Sequence, residues 1–580
     1  PCVNGGVPLY RLIVHDVFLG IMHEHPNDDR RATRQPAGRR LGQVISCTGS
    51  SALITAPIET GAGSDTTWSI GNLVTITTPA SRVVGFVRSV ETANRTWLPE
   101  GPNELLANID LVGEITEAGG RPAFHRGIRT YPYLGTIAHR IRHSDLEAIY
   151  RVDAGQGTEI GRLTQDETIP ATIDIDSMLK RHFAIVGTTG VGKSTSVTIV
   201  VRKAAEVRPN LRVIMLDPHN EFAAAFGSQA RILDAKSFDL PFWLLRFDEF
   251  AEVVFRGRDV SDHEYDFLRE AVEHAKGAFA ADSRSGLHGA SVLRRSFREQ
   301  TDVITADRPV PFRLTDIYAQ IEEEIGKLES RYPRHDLKML RARLKEVADD
   351  PNFAFMFGKA SVEDTTEMVL GKLFNLPDAS RRVTILQMGG IPAESVNAVV
   401  SVLARLSFDM AMLSSGQIET LIVCEEAHRY VPNDSKLGFG PTRRALARIA
   451  KEGRKYGAYL AIVTQRPGEL DPTILSQCST VFSMRLTNEF DQEIIRSAIA
   501  DSSTGILAFL SSLGNREAIA FGEGIATPMR MKFMEIVETQ RPSPSWLEKR
   551  NAFRGVDLRE IVSRLRGNDP TTPATPPDLH

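Results

Sequence analysis

The chain is 580 residues long, too long for one ordinary domain, and its 42% hydrophobic and 24% charged residues are those of a soluble globular protein. A net charge of only −4 excludes a broadly basic nucleic-acid coat, so any nucleic acid must meet a local patch or a lined channel. Four scattered cysteines (Cys2, Cys47, Cys424 and Cys478) exclude a zinc ribbon or a disulfide framework and fit a reducing cytoplasm.

Residues 1–40, with "EHPNDDRRATRQPAGRR", read as a flexible lead-in. Over 41–173, short β-branched runs such as "GNLVTITT" and "RVVGFVRSV" alternate with glycine, serine and asparagine. That pattern predicts small antiparallel strands forming a β-barrel. It carries no catalytic constellation and reads as a docking or structural module. Residues 174–240 hold two buried-type strands around a helix, a βαβ unit that predicts a parallel sheet in an α/β domain. Residues 241–380 switch to helical periodicity. Ser261 and Glu264 stand at capping-box spacing ahead of an apolar face of Phe267, Leu268, Ala271, Val272 and Ala275. Ile317, Ile321, Ile325 and Leu328 form a second stripe, and Leu337, Leu340, Leu344 and Val347 a third. The region is therefore expected to be a helical bundle inserted into the α/β domain. Over 381–540 the sheet resumes with "RVTILQM", "ETLIVCEEAH" and "AYLAIVTQ", continuous apolar runs of buried parallel strands. The most apolar helix, near 399–413, contains Arg405 and Asp409, which argues against a membrane span. Residues 541–580 add one amphipathic helix around Leu558 to Leu565 and a disordered tail.

The run Gly187-Thr188-Thr189-Gly190-Val191-Gly192-Lys193-Ser194, followed by Thr195, matches G-x-x-x-x-G-K-[ST] between an apolar strand and a helix. Glycines let the backbone wrap with its N–H groups inward, and the helix adds its positive end to the anion site. Lys193 is placed to reach the β- and γ-phosphates, and Ser194 to offer a hydroxyl to Mg²⁺. These residues predict binding of ATP with Mg²⁺.

Hydrolysis needs a second group, and "LIVCEEAH" supplies it by ending a strand on Glu425 and Glu426. The first acid is expected to hold Mg²⁺ through water, and the second to orient or deprotonate the attacking water. Gln465, ending the next strand, can report on the γ-phosphate. Asp217, at the end of "RVIMLD", reaches the same sheet edge. His219 and Glu221 in "DPHNEF" read equally as plain loop residues. Cys424 reads as core and His428 as a structural hydrogen bonder.

The motifs "HFAIVGTTGVGKST", "DPHNEF", "EEAHRYVP", "IAKEGRKYGAYLAIVTQRP" and "LTNEFDQ", in that order, resemble the HerA–FtsK group of motor ATPases, and HerA in particular, over about 160–535. The resemblance implies a RecA-like P-loop domain and a homo-hexameric ring that hydrolyses ATP and drives double-stranded DNA through its pore. It implies a nuclease or a sirtuin-like NAD hydrolase docked on the barrel side, in DNA end processing or antiphage defence. It makes Arg454, in "EGRKYG", the expected arginine finger, with Arg448, Lys455 and Arg466 as competitors. It also makes Arg429 to Arg444 a pore-facing segment, although Arg443, Arg444 and Arg448 read equally as a solvated helix face. The alternative is an ATP-gated ring that scaffolds and switches a partner enzyme. A conjugative coupling ATPase is disfavoured by the lack of a membrane anchor.

Overall fold

The computed structural model of the chain describes residues 39–58, 68–93, 103–152, 157–234, 239–285, 304–358, 362–377, 380–434, 437–497 and 504–543. The expected lead-in up to residue 38 and the expected helix around 558–565 with its tail lie outside the described residues.

The first seven strands are β1 (Arg40–Cys47), β2 (Ser51–Ile58), β3 (Leu73–Thr77), β4 (Arg82–Thr92), β5 (Asn103–Ala118), β6 (Arg121–His125) and β7 (Ile137–Arg140). They pair in the order β2-β1-β7-β3-β4-β5-β6, and β2 pairs again with β5. The second pairing closes a six-stranded antiparallel barrel and leaves β6 outside the ring. Closure rests on the length of β5, which pairs with β2 through residues 103–110 and with β4 through 105–115. Val74 with Ile76, and Ala107 with Ile109 and Leu111, recur at the two-residue spacing of one strand face and meet in the barrel's own core. At Gly85, beside a bulge in β4, a Cβ would lie 2.2 Å from Ile109 Cγ2. Only glycine lets the two strands approach there.

The remaining strands build one sheet: β8 (Gly157–Leu163), β9 (Pro170–Asp174), β10 (His182–Val186), β11 (Leu211–Asp217), β12 (Ala230–Leu233), β13 (Val383–Gln387), β14 (Glu419–Cys424), β15 (Ala458–Thr464), β16 (Cys478–Ser483), β17 (Glu517–Gly522) and β18 (Met529–Phe533). Their order is β12-β13-β11-β14-β15-β10-β16-β17-β18-β8-β9. The pairs from β12 to β16 are parallel and those from β16 to β9 antiparallel. Strands β10, β11 and β15 are buried along their whole length, as strands covered on both faces must be. Sequence reading extends the barrel to residue 173, and here the structure differs. The hairpin β8–β9 joins the large sheet instead, because β8 pairs with β18 through Leu163 opposite Met531. A partner so distant in sequence leaves no mark on the local pattern.

Between β12 and β13 the chain leaves the sheet and forms the inserted helices, including Phe247–Phe255, Asp262–Ser285, Leu314–Gly326 and Arg334–Ala348. The capping box is present: Glu264 N–H donates to Ser261 Oγ, and Ser261 N–H to Glu264 Oε2, each at 3.1 Å. Phe267, Leu268, Ala271, Val272 and Ala275 are buried, as are Ile317, Ile321 and the whole Leu337–Val347 stripe. Leu328 is a correction to the second stripe. Its helix ends at Gly326, and Leu328, beyond it, is 98% exposed.

The helix Ala393–Leu413 is long and apolar enough to cross a membrane by length and composition alone, yet it is mostly buried inside the protein. Arg405 on it is buried and donates to Glu249 Oε2 at 3.0 Å and to the Leu244 carbonyl at 2.6 Å. Ser401 Oγ donates to Glu249 Oε1 at 2.8 Å. This network ties the inserted helices to the sheet's covering layer.

Candidate active site

Register brings the chemistry together at the carboxyl ends of adjacent strands. Leu216 pairs with Cys424, so Asp217 and Glu425 follow side by side. Cys424 pairs with Ile462 and Val186 with Thr464, which places Gln465 beside the start of the glycine turn. The turn is pinned on both flanks. Gly187 N–H donates to the Thr464 carbonyl at 3.3 Å, and Thr188 N–H to the Arg485 carbonyl at 3.0 Å. Gly190 and Gly192 have φ values of 79° and 95°, left-handed positions that glycine adopts without steric cost. Gly192 then caps the helix Lys193–Val207 with no side-chain cap, and the first N–H groups of a helix have no partner within it and can face an anion.

Within this cradle the cation and hydroxyl meet carboxylates. Lys193 is buried, with Nζ 3.6 Å from Glu426 Oε1. Ser194 Oγ donates to Glu221 Oε2 at 3.1 Å, and Thr189 Oγ1 to Gln465 Oε1 at 2.5 Å. Thr195 is half-buried on the first helical turn. Glu426 has a left-handed backbone (φ 51°), a strained setting for a long side chain and one common at functional sites. His428 Nδ1 lies 3.0 Å from Thr464 Oγ1 and 3.4 Å from Glu426 Oε2, and burial lowers its pKa against the pull of Glu426. It braces the acid rather than replacing it.

Asp217 is placed at the expected edge but does another task. It is fully buried and accepts from the N–H groups of Glu221 and Phe222 at 3.1 and 3.0 Å. Burial pushes its carboxyl up, while those N–H groups pull it down. Asp217 thus shapes the "DPHNEF" turn, and Glu221 is the side chain that reaches Ser194. Asn220, left-handed at φ 56°, locks the same turn by accepting from Gly389 N–H at 3.0 Å. Sequence reasoning left Glu221 undecided. Its signal was the position four residues beyond a strand-end aspartate.

Burial first, then the charges of Asp217, Glu221 and Glu426, push Glu425 well above the carboxylate range, with Lys193 opposing. The buried atoms Glu425 Oε2 and Glu426 Oε2 accept no hydrogen bond. A buried Glu425 oxygen with no hydrogen-bond donor, beside the Glu221 that holds Ser194, fits a divalent cation and its water. Among the described residues, no cluster of three or more His, Cys, Asp or Glu side chains could hold a metal by itself. A cation here would share its ligands with nucleotide phosphates, as Mg²⁺ characteristically does.

Arg454 stands elsewhere. It is exposed, in the turn Gly453–Lys455 that precedes β15, at the opposite edge of the sheet from the glycine turn. A seven-residue strand separates the two by on the order of 20 Å, so Arg454 cannot reach the glycine turn of its own chain. Its competitors are partly committed. Arg448 lies over the Phe408 ring at 4.1 Å, and Arg466 pairs with Glu469 at 2.8 Å, while Lys455 is exposed. Arg443 and Arg444 pair within the chain, with Asp471 at 2.7 Å and Asp248 at 2.5 Å.

A family described as "Helicase HerA, central domain" matches residues 158–407. The DNA double-strand break repair helicase HerA of Pyrococcus furiosus is 22% identical over 75% of this chain and 78% of its own length. The protein of the same description from Sulfolobus acidocaldarius is 26% identical over 69% and 73%. Among solved structures, VirB4 of Thermoanaerobacter pseudethanolicus aligns at 15% identity with a TM-score of 0.47, covering 67% of this chain and 100% of that one.

Proposed function

We propose, from the premise that this chain is a HerA-type ATPase, that it assembles into a homo-hexameric cytoplasmic ring and uses ATP hydrolysis to move double-stranded DNA through its pore. The observation that carries the reading is the division of the site. Lys193, Ser194, Glu425, Glu426 and Gln465 converge at one sheet edge, while Arg454 projects from the other. A subunit built this way offers a phosphate site on one side and a cation for its neighbour on the other.

Hydrolysis follows from the geometry. A bound triphosphate would meet the turn's N–H groups and Lys193, whose Nζ lies 3.6 Å from Glu426 Oε1, so that cation and acid stand on the same reacting phosphate. Ser194, released from Glu221, and Glu425 are the residues that would hold Mg²⁺, which supplies positive charge against the phosphate oxygens. Glu426 accepts the proton of the attacking water while His428 holds its position. Gln465, on the strand end beside the turn, senses whether the γ-phosphate is present. Arg454 of a neighbouring subunit stabilises the charge that develops on it.

The barrel is proposed as the docking module for a partner effector, a nuclease or a sirtuin-like NAD hydrolase. It has its own core, and its loop residues Tyr133 and Leu134 are 63% and 65% exposed. A second reading, an ATP-gated ring that scaffolds the partner, is favoured by one observation. Arg443 and Arg444, which belong to the expected pore-facing segment, are committed to intrachain carboxylates. The test is the ATPase rate with and without duplex DNA, in the absence of any partner. A translocating motor is stimulated, with an apparent DNA affinity that falls steeply with salt. A rate that ignores DNA and responds only to the partner enzyme sinks the motor reading and leaves the scaffold.

A further inference from the structure

Arg516 lies in the turn leading into β17 and has a left-handed backbone, φ 62°. Long side chains rarely adopt that conformation unless their surroundings impose it. Here they do. Its N–H donates to the Val191 carbonyl at 2.8 Å, inside the glycine turn, and its own carbonyl accepts from Phe533 N–H at 2.9 Å. Its side chain lies against Gly192 so closely that a Cβ on Gly192 would sit 2.8 Å from Arg516 Cγ. The guanidinium bonds Glu535 Oε1 at 2.5 Å, and the Glu535 side chain is 72% exposed. A planar cation is thus clamped to the outer lip of the phosphate cradle.

Strand order says which end of a nucleotide passes that lip. The γ-phosphate must face Glu426 and Gln465, which end β14 and extend β15, on one side of β10. The rest of the nucleotide then runs the other way, past β16 towards β17 and β18, where Arg516 and Glu535 stand. The acidic cluster of Asp217, Glu221 and Glu425 occupies the γ-phosphate side, whereas the charged pair in contact with the glycine turn on the nucleoside side is Arg516–Glu535. We infer that Arg516 is a nucleoside-positioning residue, its guanidinium stacking on the base of the bound nucleotide while Glu535 holds it flat. The inference rests on the ATP-site assignment. A guanidinium presents a broad, weakly hydrated plane suited to a base, and stacking of this kind recognises the face of any base rather than its edge. Arg516 therefore contributes affinity for the nucleoside without selecting adenine over guanine.

The test compares equilibrium binding of ATP, GTP and inorganic tripolyphosphate to the full-length chain. Arg516→Asn suits the left-handed backbone and keeps the N–H bond to Val191, so the turn is preserved. The expected result is about a tenfold or greater loss of ATP and GTP affinity with tripolyphosphate binding unchanged. Arg516→Lys keeps the charge but not the plane, and is expected to behave like Arg516→Asn. Lys193→Ala is expected to lose all three ligands; if it loses none, the phosphate site itself is wrong, a separate failure from that of Arg516. Unchanged ATP binding in Arg516→Asn, or a parallel loss of ATP and tripolyphosphate, overturns the inference. Full recovery in Arg516→Lys overturns the stacking role in favour of simple charge.

Discussion

At the scale of single residues, the site is a set of opposed charges held apart from water. Lys193 is the one cation among Asp217, Glu221, Glu425 and Glu426, and it rests on the acid assigned to the water. Glu426→Gln preserves shape and removes the base, so the variant is expected to bind ATP while turning it over at least about 100-fold more slowly. Single-turnover hydrolysis with a parallel binding measurement checks this, and wild-type turnover would reassign the catalytic acid. His182, at the start of β10, gives a different readout. Its Nδ1 accepts from Leu460 N–H at 3.0 Å and its Nε2 lies 3.0 Å from the Ala450 carbonyl, an arrangement that requires the neutral ring. Burial, the largest cause, depresses its pKa from 6.5 to about 4. The unfolded chain therefore binds the proton more readily than the folded one between those values. Stability is fully present above pH 6.5 and falls as the pH drops towards 4, by on the order of 3 kcal/mol. His182→Gln removes this contribution, so thermal melts across that window should show a shallower acid limb than wild type.

At the scale of elements, the inserted helices are not a free appendage. Glu249, on the helix Phe247–Phe255, receives Arg405 and Ser401 from the long interior helix, and all three side chains are buried. Removing Glu249 leaves the buried Arg405 with only the more distant carboxylate of Asp409, at 3.8 Å. Glu249→Ala is expected to cost about 3–5 kcal/mol in denaturant unfolding, whereas Glu249→Leu combined with Arg405→Met costs far less, because neither charge remains to be desolvated. If the single and double variants lose the same stability, the pair is not what joins the two layers. The same helix illustrates how composition misleads when read alone. Its apolar length passes for a membrane span, and what distinguishes it is the buried partner on another element.

At the scale of the whole molecule, the separation of Arg454 from its own glycine turn makes assembly part of the chemistry in the proposed ring. A finger supplied in trans is worth roughly 10³–10⁵ in rate. Mixing Arg454→Ala subunits with Lys193→Ala subunits should therefore restore part of the activity that neither has alone. Absence of any recovery, with mixed rings shown by native mass spectrometry, removes Arg454 from the role. The barrel gives the second prediction at this scale. A cut before β8 keeps the β8–β9 hairpin on β18, whereas a cut at residue 174 would strip two strands from the motor sheet. A chain beginning near Gly157 is expected to keep ATP binding and lose association with the proposed partner enzyme. Retained association would place docking on the motor instead.

Features whose partners lie close along the chain could be read from the residues alone. The glycine turn, the capping box at Ser261 and Glu264 and the strand-ending pair Glu425–Glu426 depend on backbone conformation within a few residues, so their spacing is enough to read them. The α/β class was legible for the same reason, since a strand buried on both faces must be apolar throughout. Which strand ends stand together is visible only in the folded sheet. The fold does more than order the strands. It turned Asp217 inward to hold a turn, brought Glu221 to Ser194, moved β8–β9 from the barrel to the motor sheet and laid Arg516 over Gly192. Each of those contacts joins groups set by sheet order and register, and pairings between distant segments leave no periodic trace in either segment. Leu328 marks the same limit in miniature, since an apolar stripe predicts burial only as far as the helix that carries it continues.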